Sequence, residues 1–241
     1  MQLSGNTILI TGGGSGIGFA LAERFATAGN TILICGRRES ALAEAKAKHP
    51  DWITYTCDIA TETGREDLYQ WVMSNHPEVN VLINNAGIQH WMKVDESDYY
   101  TKAKAEMAVN VEAPLHLTQL FLQSAAINTI INVTSGLSFT PLTKTPVYSA
   151  TKAFMHSYTR SMRHLLGQRG IEVIELIPPA LNTDLGGKGI HDFAPPVSGF
   201  VDATFEQLKA GQPQVTYLFS EAMLKAGHAD REAAFDKLNG Q

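Results

Sequence analysis

Continuous apolar, β-branched runs recur along the chain at 7–11, 31–35, 52–56, 79–84, 129–134 and 172–177. Because they do not alternate with polar residues, they read as strands covered on both faces, as in a parallel sheet. Between them, segments 17–28, 39–48, 61–75, 98–125 and 148–168 carry apolar residues at spacings of three and four, the stripe of a helix packed on a sheet. This alternation predicts an α/β fold: a single-domain Rossmann-type, doubly wound parallel sheet with helices on both faces. After residue 183 the pattern becomes irregular from Gly186 to Pro196 and turns helical near 203–210. The region of about 186–212 is therefore expected to form a substrate loop or lid within the domain. A polar helical tail is expected after 215–220, running to Gln241.

Composition narrows the picture. A chain of 241 residues with 44% hydrophobic content can bury one large core, so residues 1–241 are expected to form one domain. Its net charge of −5 supplies no basic field, which argues against nucleic acid and anionic membranes as partners. No apolar run approaches the length of a membrane span, and Met1-Gln-Leu-Ser-Gly lacks a cationic leader, so a cytoplasmic location is expected. Cys35 and Cys57 fall in neighbouring strands as core material, with no disulfide expected. The eight histidines show no metal-ligand spacing, and no metal is expected.

The chemistry lies in two places. Directly after the first strand runs Gly12-Gly-Gly-Ser15-Gly16-Ile17-Gly18, followed by a helical pattern. Strand, glycine turn and helix form the context of a dinucleotide site: Gly12 permits the turn, Gly16 lets backbone approach a pyrophosphate, and Gly18 lets helix pack on strand. The second place is Tyr148-Ser-Ala-Thr-Lys152, where a phenol and an ammonium four apart share one helical face. An opposite charge that close favours the phenolate and would bring the phenol towards working pH.

Taken in order, these motifs resemble the short-chain dehydrogenase/reductase family over residues from about 5 to 185. Thr11-Gly12-x-x-x-Gly16-x-Gly18 matches the family's cofactor loop, Asn84-Asn85-Ala86-Gly87 its strand-end motif, and Asn110, Ser135, Tyr148 and Lys152 its catalytic tetrad. The resemblance implies reduction of a ketone or aldehyde to an alcohol, or the reverse. In that reading Tyr148 donates the proton, Lys152 lowers its pKa and binds the nicotinamide ribose, Ser135 holds the substrate oxygen, and Asn110 anchors a water leading from Lys152. It also implies cofactor contacts from Ser15, Ile17, Asp58, Ile59, Asn85, Ala86, Gly87, Tyr148, Pro178 and Thr183. The second strand ends Cys35-Gly36-Arg37-Arg38 with no acid at the position that would bind a ribose 2′-hydroxyl. Arg37, with its planar fork, suits a 2′-phosphate and Arg38 stacks on adenine or assists, so NADP(H) is expected over NAD(H).

Two departures from the family pattern stand out. Pro178-Pro179-Ala180 replaces the usual Pro-Gly, and a polar tail replaces the usual C-terminal strand. Both features resemble a bacterial subgroup of oxidoreductases related to one encoded beside the enzymes of lipoteichoic-acid D-alanylation. Gln89, His90, Trp91, Leu137, Phe139, Leu185 and Phe193 are the expected substrate wall, an apolar set that favours a hydrophobic or aromatic carbonyl. The alternative is a catalytically idle NADP(H)-binding redox sensor or interaction protein. The two longest helical patterns carry Met107, Val111, Leu115, Phe121, Phe154, Met155, Tyr158 and Met162 on more than one face, from which a homodimer is expected, with a homotetramer as the other possibility.

Overall fold

A computed structural model describes residues 1–240; Gln241, where the tail was expected to end, lies outside the described residues. Seven parallel strands form one sheet in the order β3-β2-β1-β4-β5-β6-β7. They are β1 (Thr7–Thr11), β2 (Thr31–Gly36), β3 (Ile53–Thr56), β4 (Val81–Asn84), β5 (Thr129–Val133), β6 (Glu172–Ile177) and β7 (Gln214–Thr216). The sequential helices are α1 (Gly16–Thr27), α2 (Glu39–Lys48), α3 (Glu62–Asn75), α4 (Tyr99–Met107), α5 (Ala113–Phe121), α6 (Pro146–Gly167), α7 (Val197–Lys209), α8 (Phe219–Lys225) and α9 (His228–Asn239).

The strand pleat explains the continuous apolar runs. Successive side chains point to opposite faces, so in β1 Ile8 and Ile10 join a core with Phe25 of α1 and Phe200 and Phe205 of α7. Leu9 joins a second core with Leu68 of α3, Leu117 and Phe121 of α5, and Leu166 of α6. Helices cover both faces, so the central strands are mainly apolar on both, and Asn84, Asn132 and Glu175, polar residues within them, are buried and hydrogen-bonded.

The structure revises four expectations. Residues Gln214–Thr216 add a seventh strand beside β6, with Leu176 paired to Val215, in a segment too short to announce itself by pattern. The segment expected as a loop or lid is divided: Phe200, Val201, Phe205 and Leu208 of α7 are buried, and Phe205 packs on Phe25 at 4.7 Å between ring centroids. Irregular backbone is confined to the residues before Val197 and to the turn at 210–213. The helix expected over 98–125 is interrupted by a π-helical turn, Ala108–Glu112. Pro114 has no N–H with which to reach the carbonyl of Asn110, so the α-helical ladder cannot run through this point. Finally, Phe121 and Met155 are buried within the chain itself, which removes them from the expected partner face.

Candidate active site

Strand order reverses between β1 and β4, and in open parallel sheets that reversal leaves a crevice at the strands' carboxyl ends. Here the crevice is a cleft of about 800 Å³. The glycine turn contributes Gly12, Ser15, Gly16 and Ile17, and the end of β2 contributes Arg37 and Arg38. Asp58 and Ile59 line it after β3, and Asn85, Ala86 and Gly87 after β4. Tyr148 and Lys152 of α6, with Pro178 and Thr183 beyond β6, close the other end. Gly18 lies beneath the lining rather than in it: a Cβ there would sit 2.4 Å from Asn85 Nδ2 and 2.6 Å from the Gly12 carbonyl.

The turn after β1 is built by local necessity. Gly12 and Gly16 have φ of +67° and +56°, a region that glycine enters without strain. Thr11 Oγ1 accepts from the backbone N–H groups of Asn85 and Ala86, each at 3.1 Å. In return Asn85 Nδ2 donates to the Thr11 carbonyl at 2.9 Å. These bonds fix the ends of β1 and β4 together, and with them the floor of the cleft.

At the outer end two cations face the crevice without a strong partner. The Arg37 guanidinium lies 4.0 Å from the Asp58 carboxylate, a contact between exposed groups that is worth little. Arg38 donates to Ser15 Oγ at 2.7 Å, bridging the β2 exit to the start of α1. The side chain of Ser15 makes no capping bond to α1, so the helix N-terminus keeps N–H groups directed at the cleft.

At the inner end, Tyr148 and Lys152 are buried side by side on α6, with the ammonium 5.6 Å from the phenol ring centroid. The expected ionisation is reversed in the free chain. Burial raises the Tyr148 pKa, and the hydrogen bond with Ser135 opposes it only in part. Burial likewise lowers the Lys152 ammonium to about 8. Lys152 donates to the Val133 carbonyl at 2.8 Å rather than to the phenol. The hydroxyl of Ser135 accepts from the Leu137 N–H at 3.1 Å, which orients it at the end of β5.

Asn110 sits in the π-helical turn with its amide committed to protein. Its Oδ1 accepts from the Ile88 N–H and its Nδ2 donates to the Ile88 carbonyl, both at 2.9 Å, and also to Thr151 Oγ1 at 3.2 Å. A Cβ on Gly87 would lie 3.4 Å from Asn110 Oδ1 and 3.6 Å from Lys152 Nζ, so the two side chains flank one point. Behind them a buried ladder runs from Asn84 to Asn132 at 2.9 Å and from Asn132 to Thr159 at 3.0 Å, tying β4 and β5 to α6.

The expected substrate wall is only partly realised. Gln89, His90 and Leu185 line the cleft, whereas Trp91, Leu137, Phe139 and Phe193 are not among its lining residues. Phe139 is held elsewhere, edge-on to His156 and under the Arg231 guanidinium of α9. Phe193 stands 82% exposed. Sequence reasoning passed over Glu106, which is fully buried and binds both the backbone and the ring of His90. A charge at the buried position one turn before Asn110 was the available signal. Among the described residues one group has metal-ligand proximity, the surface trio Glu62, Glu66 and His116. There Arg65 Nε donates to His116 Nδ1 at 3.0 Å, so a guanidinium already occupies that ring nitrogen.

The short chain dehydrogenase family profile matches residues 6–192. The uncharacterized oxidoreductase DltE of Bacillus subtilis is 39% identical over an alignment covering 100% of this chain and 99% of that protein. A crystal structure of a short chain dehydrogenase from Burkholderia cenocepacia in complex with NADP is 26% identical, covers 99% of both chains and superposes with a TM-score of 0.84. A short chain dehydrogenase/reductase from Burkholderia phymatum in complex with NAD shares the fold at 21% identity, with a TM-score of 0.83 over 97% of this chain and 96% of that one.

Proposed function

Because the chain belongs to the short-chain dehydrogenase/reductase family and is an oxidoreductase, we propose that it reduces a ketone or aldehyde to an alcohol with NADPH, and oxidises the alcohol in reverse. The observation that carries this reading is one cleft with a cationic outer end, at Arg37 and Arg38, and buried Tyr148 and Lys152 at its inner end, with Ser135 buried behind the lining and hydrogen-bonded to Tyr148. When bound, NADPH supplies the hydride; the chain supplies everything else. The N–H groups of the glycine turn and α1 would hold the pyrophosphate, Arg37 would bind the 2′-phosphate with Arg38 beside it, Asp58 and Ile59 would flank the adenine, and Pro178 and Thr183 would border the nicotinamide. Asn85, Ala86 and Gly87 form the floor beneath the cofactor.

Tyr148 works as the acid. A phenol whose pKa burial has raised stays protonated at neutral pH, and the alkoxide formed as the carbonyl accepts hydride is basic enough to take its proton. Ser135 holds the substrate oxygen in line with that transfer. Lys152, still cationic below about 8, binds the nicotinamide ribose and stabilises the phenolate left behind. Asn110 shapes the site by clamping Ile88 and Thr151 around Lys152. Reduction therefore needs the ammonium charge, and kcat/KM for reduction is expected to fall as pH rises through about 8. A pH–rate profile flat beyond that value removes Lys152 from this role.

Cofactor choice has its own test. Arg37→Ala is expected to raise the NADPH dissociation constant about tenfold, the scale of one charge-assisted contact, and to leave NADH within about twofold. Freeing Arg37 from Asp58 costs little, since that pair is long and exposed. Fluorescence titration with each cofactor reads both numbers, and equal losses argue against the 2′-phosphate assignment.

Assembly as a homodimer rests on the outer face of α4 and α6, where Met107 and Phe154 remain 41% and 46% exposed. Phe154 stacks on Tyr158 at 6.4 Å, making a flat apolar surface suited to a two-fold partner. Light scattering is expected to give twice the 26.2 kDa chain mass. A single-chain mass at all concentrations defeats the dimer. No helix among the described residues is long and apolar enough to cross a membrane.

A further inference from the structure

Behind His90, Glu106 does something the hydride chemistry does not call for. Its side chain is fully buried on α4, with Oε1 accepting from the His90 backbone N–H at 2.5 Å and contacting His90 Nδ1 at 3.2 Å. Its Oε2 is buried with no hydrogen-bond partner among the described residues. Burying a carboxyl with half its capacity unused is costly, and a Leu at this position would pack without that cost. The cost makes sense if the carboxyl's task is to set the ring of His90, which lines the cleft that also holds Tyr148.

The contact fixes the tautomer. Glu106 Oε1 already accepts the His90 backbone N–H, and a carboxyl proton, when present, has the unpartnered Oε2 to occupy; Oε1 therefore accepts from Nδ1 as well, and a neutral ring keeps Nε2 as an acceptor. The ring is neutral at ordinary pH: burial lowers the His90 pKa, the Lys102 ammonium acts the same way, and Asp98 opposes both. Burial raises the Glu106 carboxyl to about 7, and the same group works against ionisation of Tyr148 on the facing helix α6. A neutral imidazole that can only accept at its open nitrogen selects for a donor.

We propose that His90, positioned by Glu106, is a specificity residue that accepts a hydrogen bond from a hydroxyl or N–H group carried by the substrate beside its carbonyl. This rests on the carbonyl-reductase reading and narrows its substrate class from simple apolar ketones to donor-bearing ones. His90 touches substrate; Glu106 acts through His90 and is a positioning residue.

The test uses isosteric pairs in which a hydroxyl replaces a methyl: α-hydroxyacetophenone against propiophenone, and the meta- and para-hydroxyacetophenones against their methyl counterparts. Dissociation constants are measured by calorimetry on the full chain saturated with NADP⁺. At least one hydroxyl ketone is expected to bind about tenfold more tightly than its methyl partner. The ratio is expected to fall to about one in His90→Leu and Glu106→Leu, and to stay within about threefold of the unaltered protein in Glu106→Gln, whose amide oxygen accepts the same bonds. Ratios of about one for every pair in the unaltered protein, or a preference that survives His90→Leu, overturn the proposal. So does loss of the preference in Glu106→Gln with its retention in Glu106→Leu. If Glu106→Leu does not fold, His90→Leu and Glu106→Gln still decide. NADPH oxidation with the same ketones separates the two ideas: hydroxyl-selective binding without any turnover defeats carbonyl reduction and leaves His90 in place, and turnover without selectivity does the opposite.

Discussion

Tyr148→Phe is expected to lower turnover by about 10²–10⁴-fold, the range over which a positioned general acid acts. The ring stays in its buried place on α6, so packing is retained and only the hydroxyl is removed. Nothing nearby can replace it. Ser135 is an aliphatic alcohol, a far weaker acid than a phenol, and Lys152 is turned to the Val133 carbonyl. NADPH binding, which depends on the glycine turn and the outer cations, is expected to change by less than about twofold. Single-turnover oxidation of bound NADPH, paired with a fluorescence titration of its affinity, reads both quantities. Turnover close to that of the unaltered chain would show that the proton comes from another group and would dismantle the mechanism at its centre.

The second large effect is structural. Gly18→Val is expected to destabilise the fold by about 3 kcal/mol, at the upper end of ordinary overpacking. The reason is contact with groups that cannot yield: the new Cβ would meet Asn85 Nδ2 at 2.4 Å and the Gly12 carbonyl at 2.6 Å. Asn85 is tied by hydrogen bonds to the Thr11 and Gly12 carbonyls, and Gly12 belongs to the turn itself. For a chain of this size about 3 kcal/mol lowers the melting temperature by roughly 6–12 °C. Thermal unfolding monitored by circular dichroism measures it, with Gly167→Ala as a comparison where a Cβ meets nothing within 4 Å and the backbone is helical. A melting temperature for Gly18→Val equal to that of the unaltered chain would mean that α1 can slide away from β4, and the rigid floor of the cleft would be lost as an explanation.

The sheet was legible because parallel strands leave no solvent face, so six of seven appear as unbroken apolar runs. β7 escaped because three residues, Gln-Val-Thr, give no period to read. The cofactor end of the site was legible because each glycine answers to a backbone constraint visible in one short segment. The substrate end was not. Which of Gln89, Phe139 or Phe193 reaches the cleft depends on how loops from β4, β5 and β6 fold over one another, and Arg231 capturing Phe139 is a contact between residues 92 positions apart. The phenol's ionisation also escaped, because helical spacing reports the neighbouring charge but not the desolvation that outweighs it. The break at Asn110 was readable in principle from Pro114, whose missing N–H falls four residues later.

The C-terminal helix α9 contains no buried residue, and it is held to the body by a few polar bonds. Asn239 receives the Thr143 N–H at 2.7 Å and donates to the Pro141 carbonyl at 3.1 Å, and Arg231 reaches the Met223 carbonyl at 3.2 Å. Elements held this way open and reclose many times for each global unfolding, so their amides exchange with solvent first. Residues 141–143 lead directly into Pro146, where the helix carrying Tyr148 begins. A helix with no buried residue is thus tethered to the approach of the one that carries Tyr148. A fusion partner or affinity tag appended at this end is expected to pull on that tether, and activity compared between tagged and untagged protein would report the handle as well as the enzyme.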